Sequence, residues 1–408
     1  MKVVQINTFS YKSTGTIMMN LHQLMLGEGI ESYVVWGRGR NPENDHEISI
    51  QNDLEIKIHG VYTRITDKMG FGSQIATKKL ISRLKIINPD IIHLHNIHGY
   101  YINIEMLFNF IHENNIKVVW TLHDCWAFTG HCTHFDMVGC EKWKTACYSC
   151  PQQNMYPASK FIDNSNWNYQ KKKELFSGLN ITIVVVSKWL EEVVKESFLK
   201  VYPIEVIHNG IDLDIFKPTA SNFREKYGLQ NKFIILGVAS DWNERKGLND
   251  YIKLAEMLDD NYAVVLIGLT DKQKRNIGNK IIGLPKTNRT KDLAQIYSAA
   301  DVYFNASVEE TMGMTTVEAM ACGTSPIVYN ATALPEILEM DISRIVAKHD
   351  LDAVRKIIES MNPKSEFYVQ LAQKYNKEQK FMQYIDLYRR IYNCESIIHD
   401  KYSGTVQS

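Results

Sequence analysis

Short runs of apolar, mostly β-branched residues alternate along this chain with longer stretches whose apolar positions recur at helical spacing. In the first half the runs are Lys2–Ile6, Ser32–Trp36, Ile91–His95, Lys117–Leu122 and Ile181–Val186. In the second half they are Ile204–Ile207, Phe233–Val238, Ala263–Ile267, Ile281–Leu284, Val302–Asn305 and Ser325–Val328. Near-continuous Val and Ile, without polar alternation, predicts strands covered on both faces, as in parallel sheets flanked by helices. The regular exchange with helical stretches predicts βαβ units.

The series restarts near residue 204. This predicts an α/β protein with two Rossmann-like, doubly wound domains, 1–203 and 204–375, facing a central cleft. Residues 376–408 read as a C-terminal helix returning to the N-terminal domain and a frayed tail. After Pro363 the helical pattern continues to about Tyr392 through Leu371, Tyr375, Phe381, Tyr384, Ile385, Leu387 and Ile391. The stretch 400–408 is polar. Doubly wound sheets take ligands at the carboxyl ends of their strands.

Composition narrows the function classes. The 408 residues carry 46 basic and 46 acidic side chains, and a neutral chain is a poor fit to nucleic acid. No apolar run reaches the roughly 18 residues that span a bilayer. The N-terminal segment lacks the long apolar core of a signal peptide. Seven cysteines do not form an even disulfide framework, so a cytoplasmic location is expected.

The richest segment is Glu309-Glu310-Thr-Met312-Gly313-Met314-Thr-Thr-Val-Glu318-Ala-Met-Ala-Cys-Gly323-Thr-Ser-Pro326. It follows one predicted strand and leads through a helix, starting near Met314, into the next. Amides at that helix start favour an anion such as a diphosphate. Glu318, one turn further in, suits sugar hydroxyls. Taken alone, the two carboxylates also fit an ordinary solvated pair.

The spacing of Glu310 and Glu318, with Gly313 between them and Glu-Ala-Met-Ala-Cys-Gly-Thr-x-Pro following, resembles the retaining GT-B glycosyltransferases of group 1, or family 4. Three further segments resemble the same family. They are Ile207-His-Asn-Gly-Ile-Asp212 through Pro218, Asp241-Trp-Asn-Glu-Arg245-Lys246-Gly247, and Thr121-Leu-His123-Asp124. The resemblance implies donor-binding roles for Arg245, Lys246, Met312, Gly313, Met314 and Glu318, and catalytic roles for His123 and Glu310. It also implies that Gly15, in a Ser-Thr-Gly-Thr loop after the first strand, approaches the donor phosphates or the acceptor. Where family members carry an additional Arg before the Lys, this chain has Ser240 and Asp241, which leaves Arg245 as the second cation.

The activity so implied is retaining, metal-independent transfer of a sugar from a UDP- or GDP-sugar to a saccharide acceptor, lipid-linked or not. The segment 126–151 resembles enzymes of bacterial polysaccharide or lipopolysaccharide biosynthesis, working at the cytoplasmic face of the inner membrane. The alternatives are a nucleotide-sugar 2-epimerase of related fold and a non-catalytic partner subunit. No cofactor is required by this chemistry. Asp212-Leu-Asp214 and Asp350-Leu-Asp352 are placed unlike metal-holding Asp-x-Asp motifs.

Three features stand apart from the resemblance. Cys132, Cys140, Cys147 and Cys150 lie in a Cys-rich insertion, 125–151, and suit a structural zinc site, unliganded thiols or a redox pair. His93 and His95 share one strand face and fit hydrogen bonding better than metal. Residues 57–85 carry seven basic side chains against Asp67, with Val61, Ile65, Met69 and Phe71 between them. That pattern fits a solvated helix face or a peripheral contact with anionic lipid.

Overall fold

A computed structural model describes residues 1–361 and 365–393. Pro363 and the polar stretch 400–408 lie outside the described residues. Two compact units form, one of residues 1–207 with the chain from Phe381 onward, the other of His208–Lys380.

The sheet of the first unit contains β1 (Lys2–Phe9), β2 (Glu31–Arg38), β3 (Glu47–Ser49), β4 (Ile91–Leu94), β5 (Lys117–Leu122), β6 (Ile181–Val185) and β7 (Ile204–Val206). Their order is β3-β2-β1-β4-β5-β6-β7, and every pair is parallel. Every residue of β5 is buried, the consequence of helices on both faces. On one face Val3, Val119 and Val184 pack with Leu21 and Met25 of helix Lys12–Gly27. Phe381, Tyr384, Ile385 and Tyr388, from helix Lys377–Asn393, complete this cluster.

The second unit has β8 (Phe233–Val238), β9 (Tyr262–Ile267), β10 (Ile281–Leu284), β11 (Val302–Asn305), β12 (Ser325–Tyr329) and β13 (Ile345–Val346). The order is β10-β9-β8-β11-β12-β13, again all parallel. In both sheets the strand order reverses beside the first strand, between β1 and β4 and between β8 and β11.

Several expectations need correction. Strand β7 pairs with β6, so it ends the first sheet and does not open the second, and the boundary falls after residue 207. The short edge strands β3 and β13 escaped a pattern reading because two or three residues carry no period. Gly15 lies in the first turn of helix Lys12–Gly27, not in a loop. The long C-terminal helix is interrupted: helix Glu366–Ala372 and turn Gln373–Tyr375 precede Lys377–Asn393, with Asn376 extended. The break has a cause in the Asn209-Gly210-Ile211-Asp212 loop. Ile211 N–H donates to the Tyr375 carbonyl at 2.8 Å, and Lys377 N–H donates to the Ile211 carbonyl at 3.0 Å. A Cβ on Gly210 would stand 2.3 Å from Lys377 Cα, so only glycine permits this approach. Asp212 then pairs with Lys377 Nζ at 2.5 Å.

Candidate active site

The second unit gathers its chemistry where β8 and β11 end side by side. After β8 the chain makes the turn Glu244–Lys246, capped by Asn243, whose Oδ1 accepts from the Lys246 N–H at 3.2 Å. Gly247 follows at φ 72°, and a Cβ there would meet the Ala306 carbonyl oxygen at 2.3 Å. Glycine therefore lets this turn lie directly on the chain leaving β11. The Val308 N–H donates to the Arg245 carbonyl at 2.9 Å, and Arg245 Nη1 donates to the Glu309 carbonyl at 2.8 Å. Lys246 Nζ forms an ion pair with Glu310.

Burial lowers the pKa of the Lys246 ammonium; Glu310 opposes this and the Arg245 charge adds to it. Burial alone would raise the Glu310 carboxyl, but Lys246 and then Arg245 hold it below the ordinary value. The Thr332 hydroxyl accepts from the Glu310 N–H and donates to the Glu310 carbonyl, both at 2.7 Å, so the segment is fixed from both sides.

Gly313 then turns the chain at φ 84° into helix Met314–Ala321, with Leu334 Cδ2 2.6 Å from where a Cβ would stand. No side chain caps this helix, and in its first turn the Thr316 N–H donates to the Gly313 carbonyl at 3.0 Å. The Met312 sulfur accepts from the Asn209 N–H at 3.2 Å. Glu318, one turn inside, has its Oε2 3.0 Å from the Tyr297 hydroxyl that donates to it. Burial pushes the Glu318 carboxyl up to about 7, against the opposing effect of Tyr297. Ser240 and Asp241 are exposed.

In the first unit His123 directly follows β5, and His95 directly follows β4. His123 Nε2 lies 3.1 Å from His95 Nδ1, and burial brings the His123 imidazole down to about 4. Beside it His98 Nε2 pairs with Asp124 Oδ2 at 2.8 Å, and the Trp126 N–H donates to Asp124 Oδ1 at 2.9 Å. Burial would raise the Asp124 carboxyl; His98 and the Trp126 amide more than offset this and leave it at about 2. Gly15 packs against β1, a Cβ there standing 2.6 Å from the Phe9 carbonyl oxygen. The close approach is thus to this chain's own backbone.

Cys132, Cys140, Cys147 and Cys150 line one small cavity with Trp143 and Gln152. The Gly130 N–H points at Cys147 Sγ at 3.1 Å. Among the described residues no group of three or more His, Cys, Asp or Glu side chains is placed to hold a metal ion. His93 bonds Thr121 through Nε2 at 2.8 Å and the Tyr388 hydroxyl through Nδ1 at 2.6 Å. Asp212 and Asp350 accept from local backbone amides, as turn and helix caps do.

Two family models cover most of the chain: Glycosyltransferase Family 4 over residues 14–215 and Glycosyl transferases group 1 over residues 220–380. The chain belongs to the group 1 glycosyltransferases. Among curated relatives, this glycosyltransferase is similar to WcaC of Escherichia coli (strain K12), assigned to colanic acid biosynthesis. That match is 24% identical over 96% of this chain and 100% of the relative. A D-inositol 3-phosphate glycosyltransferase of Mycobacterium sp. (strain KMS) is 27% identical over 39% of each chain.

Among solved structures, sucrose-phosphate synthase of Thermosynechococcus elongatus superposes with TM-score 0.71 at 17% identity, over 96% of this chain and 99% of that one. HepE of Anabaena, in complex with UDP and glucose, gives 0.64 at 13% identity over 96% and 100%. WaaG, a glycosyltransferase involved in lipopolysaccharide biosynthesis, gives 0.62 at 14% identity over 94% and 99%. At these identities the structures establish the GT-B fold.

His123, the Arg245-Lys246 turn and Glu310 follow the ends of strands, while Glu318 and Gly15 lie within helices. Arg245, Lys246, Glu310 and Met312–Met314 come together in the second unit. Motif reading did not find Tyr297, Thr332 or Asn243, the side chains that hold them. Asn243 had a local signal, as a capping residue three positions before Lys246. Tyr297 and Thr332 had none.

Proposed function

We propose that this glycosyltransferase moves a sugar from a nucleoside diphosphate donor to a saccharide acceptor, with retention and without a divalent ion, in the building of a surface polysaccharide. The observation that carries the donor reading is the tie between the Arg245-Lys246 turn and the Glu309–Glu310 segment at the switch point of the second sheet. Two cations there and the uncapped helix start at Met314 together suit a diphosphate. Glu318 is assigned to the ribose hydroxyls and His123 to the donor sugar, on the family motifs. Similarity to WcaC over nearly the whole length supports the polysaccharide role, and the UDP complexes of HepE support the donor class.

In this reading the bond from the sugar's anomeric carbon to the diphosphate oxygen breaks first. Arg245 and Lys246 stabilise the charge left on that oxygen. The acceptor hydroxyl attacks from the same face, forming the new glycosidic bond, and its proton passes to the departing diphosphate.

The test is a thermal-shift screen of the full chain against UDP- and GDP-sugars, with and without EDTA, followed by anomeric proton NMR of the product. A donor that raises the melting temperature in EDTA and gives a product of unchanged anomeric configuration is expected. Loss of the shift in EDTA overturns metal independence, and inverted product overturns retention. Conversion of the donor with no acceptor present supports the epimerase instead.

A structural zinc on Cys132, Cys140, Cys147 and Cys150 is a second proposal, which requires the thiols to close on the ion. It is supported by their shared cavity and by the Gly130 and Gln152 amides directed at Cys147 and Cys150. Metal analysis of purified protein should find about one zinc per chain; a value well below that removes the proposal.

A further inference from the structure

Arg38 ends β2 beside Phe9, which ends β1. Its guanidinium lies near two aromatic rings, Cζ being 5.9 Å from the centre of Phe9 and 5.8 Å from that of Tyr100. Arg40, two residues on, pairs with Glu43 and Glu47. Arg38 pairs with no carboxylate among the described residues, and its Nε is buried with no hydrogen-bond partner. Lys12 Nζ stands 4.2 Å from the centre of the same Phe9 ring, also without a carboxylate among the described residues, and the first turn of its helix holds no acid. Arg64, exposed on helix Asp53–Thr66, is a third cation with no ion pair among the described residues. Burial raises the pKa of the Tyr100 hydroxyl, and the charges of Arg64 and Arg38 pull it back. Among the described residues that hydroxyl makes no hydrogen bond, whereas the Tyr100 carbonyl accepts from Ser73 Oγ at 2.7 Å.

Like charges drawn together with no acid between them repel, and a bound anion reverses that. Lys12 and Tyr100 also hold positive φ, 66° and 70°, a costly backbone state for residues other than glycine that clusters at ligand sites. The group lies close to the candidate chemistry of its own unit. Tyr156 meets Tyr100 edge-on at 6.2 Å, and the Tyr156 hydroxyl is 3.2 Å from His98 Nδ1. Asp124, beside His123, is held by His98 and the Trp126 amide and does not neutralise the cations.

We infer that Arg38, Lys12, Arg64 and the Tyr100 hydroxyl form a binding site in the first unit for a phosphate group carried by the acceptor. That the ligand is the acceptor rests on the transferase reading; the anion site itself does not. Arginine presents paired donors that match phosphate oxygens, and lysine adds a point charge. Two kinds of acceptor carry such a group, a sugar phosphate in solution and a saccharide joined to a lipid through diphosphate.

Isothermal titration of the full chain tests this, first with UDP and then, at saturating UDP, with glucose 1-phosphate, farnesyl diphosphate and glucose. At least one of the two phosphates should bind and glucose should not. Binding of glucose 1-phosphate assigns the soluble acceptor, and binding of farnesyl diphosphate alone assigns the lipid-linked one. Arg38→Gln should weaken that phosphate by about tenfold or more. Arg38→Lys should recover part of the loss, since it keeps the charge without the paired donors. Lys12→Gln, an exposed change that leaves the core untouched, should weaken it by about threefold. UDP affinity should stay unchanged in all three. No binding of either phosphate, or equal binding in Arg38→Gln and Lys12→Gln, overturns the site. A fall in UDP affinity as large as the fall in phosphate affinity overturns the acceptor assignment, because the cations then serve the donor. Failure of the wild type to bind UDP removes the donor reading instead and leaves the phosphate result standing.

Discussion

Lys246 and Glu310 neutralise each other in the structure, so the diphosphate proposed to bind at this turn must compete with a carboxylate for the same ammonium. The family resemblance pointed to both residues, but their pairing depends on two strand ends meeting in space. In the proposed function Glu318 is the residue whose ionisation bears on donor binding. Burial holds its carboxyl up at about 7, so it is protonated below that pH and ionised above it. In that proposed role a carboxylate can accept from two ribose hydroxyls, and the acid accepts less. Nucleoside diphosphate affinity should therefore rise with pH through about 7 more steeply in the wild type than in Glu318→Gln. Binding titrations between about pH 5.5 and 8.5 check this, and equal slopes would sink it. The stability sign is opposite. A raised carboxyl keeps its proton longer when folded, so Glu318 costs stability as pH rises from the ordinary carboxylate range through about 7. The variant should gain on the wild type in urea at the alkaline end.

At the scale of elements, glycines decide which turns can touch. Gly247 and Gly228 both have positive φ, 72° and 66°, but only Gly247 has backbone within reach of an added Cβ. Gly228→Ala bears the left-handed conformation alone, about 1–2 kcal/mol. Gly247→Ala adds the Ala306 carbonyl clash and should cost more, read as the larger drop in urea midpoint. Equal midpoints would mean that the two turns separate without strain. The helix start at Met314 was legible as sequence, and the Lys-Gly motif and Gly313 were legible through the family resemblance. Gly15 was misread as a loop residue. Its helix starts at Lys12 without a side-chain cap, so the usual start signal was missing.

For the molecule as a whole, the surface of the first unit bears on where the enzyme works. Helix Asp53–Thr66 exposes Leu54, Ile58, Val61 and Ile65, spaced four, three and four apart and hence along one face. Lys57, Arg64, Lys78 and Lys79 are exposed on this helix and on Gln74–Ile87 after it. Phe161, also exposed, follows Lys160, whose N–H donates to the Arg64 carbonyl at 2.8 Å. Met69, read from sequence as part of the apolar face, is buried. Among the described residues no helix is long and apolar enough to cross a membrane. The stripe and its charges fit a peripheral contact with anionic lipid, proposed here as part of the function. The chain should sediment with vesicles containing phosphatidylglycerol and less with phosphatidylcholine alone. Ile58→Glu with Ile65→Glu should weaken this by roughly tenfold or more. Binding unaffected by either change would leave the stripe a solvated face.

What the sequence determined by itself was local in origin. Continuous Val/Ile runs made strands and helical spacing made their crossovers, because these signals act within a few residues, and resemblance to the family's motifs pointed to Lys246, Glu310, Glu318 and His123. Tertiary structure decided what distant residues do to one another. It assigned β7 to the first sheet and Phe381–Tyr388 to that sheet's core. It also paired Lys246 with Glu310 and set Lys12 and Arg38 beside one Phe9 ring. Those outcomes follow from strand order and desolvation, which bring together side chains that no local spacing relates.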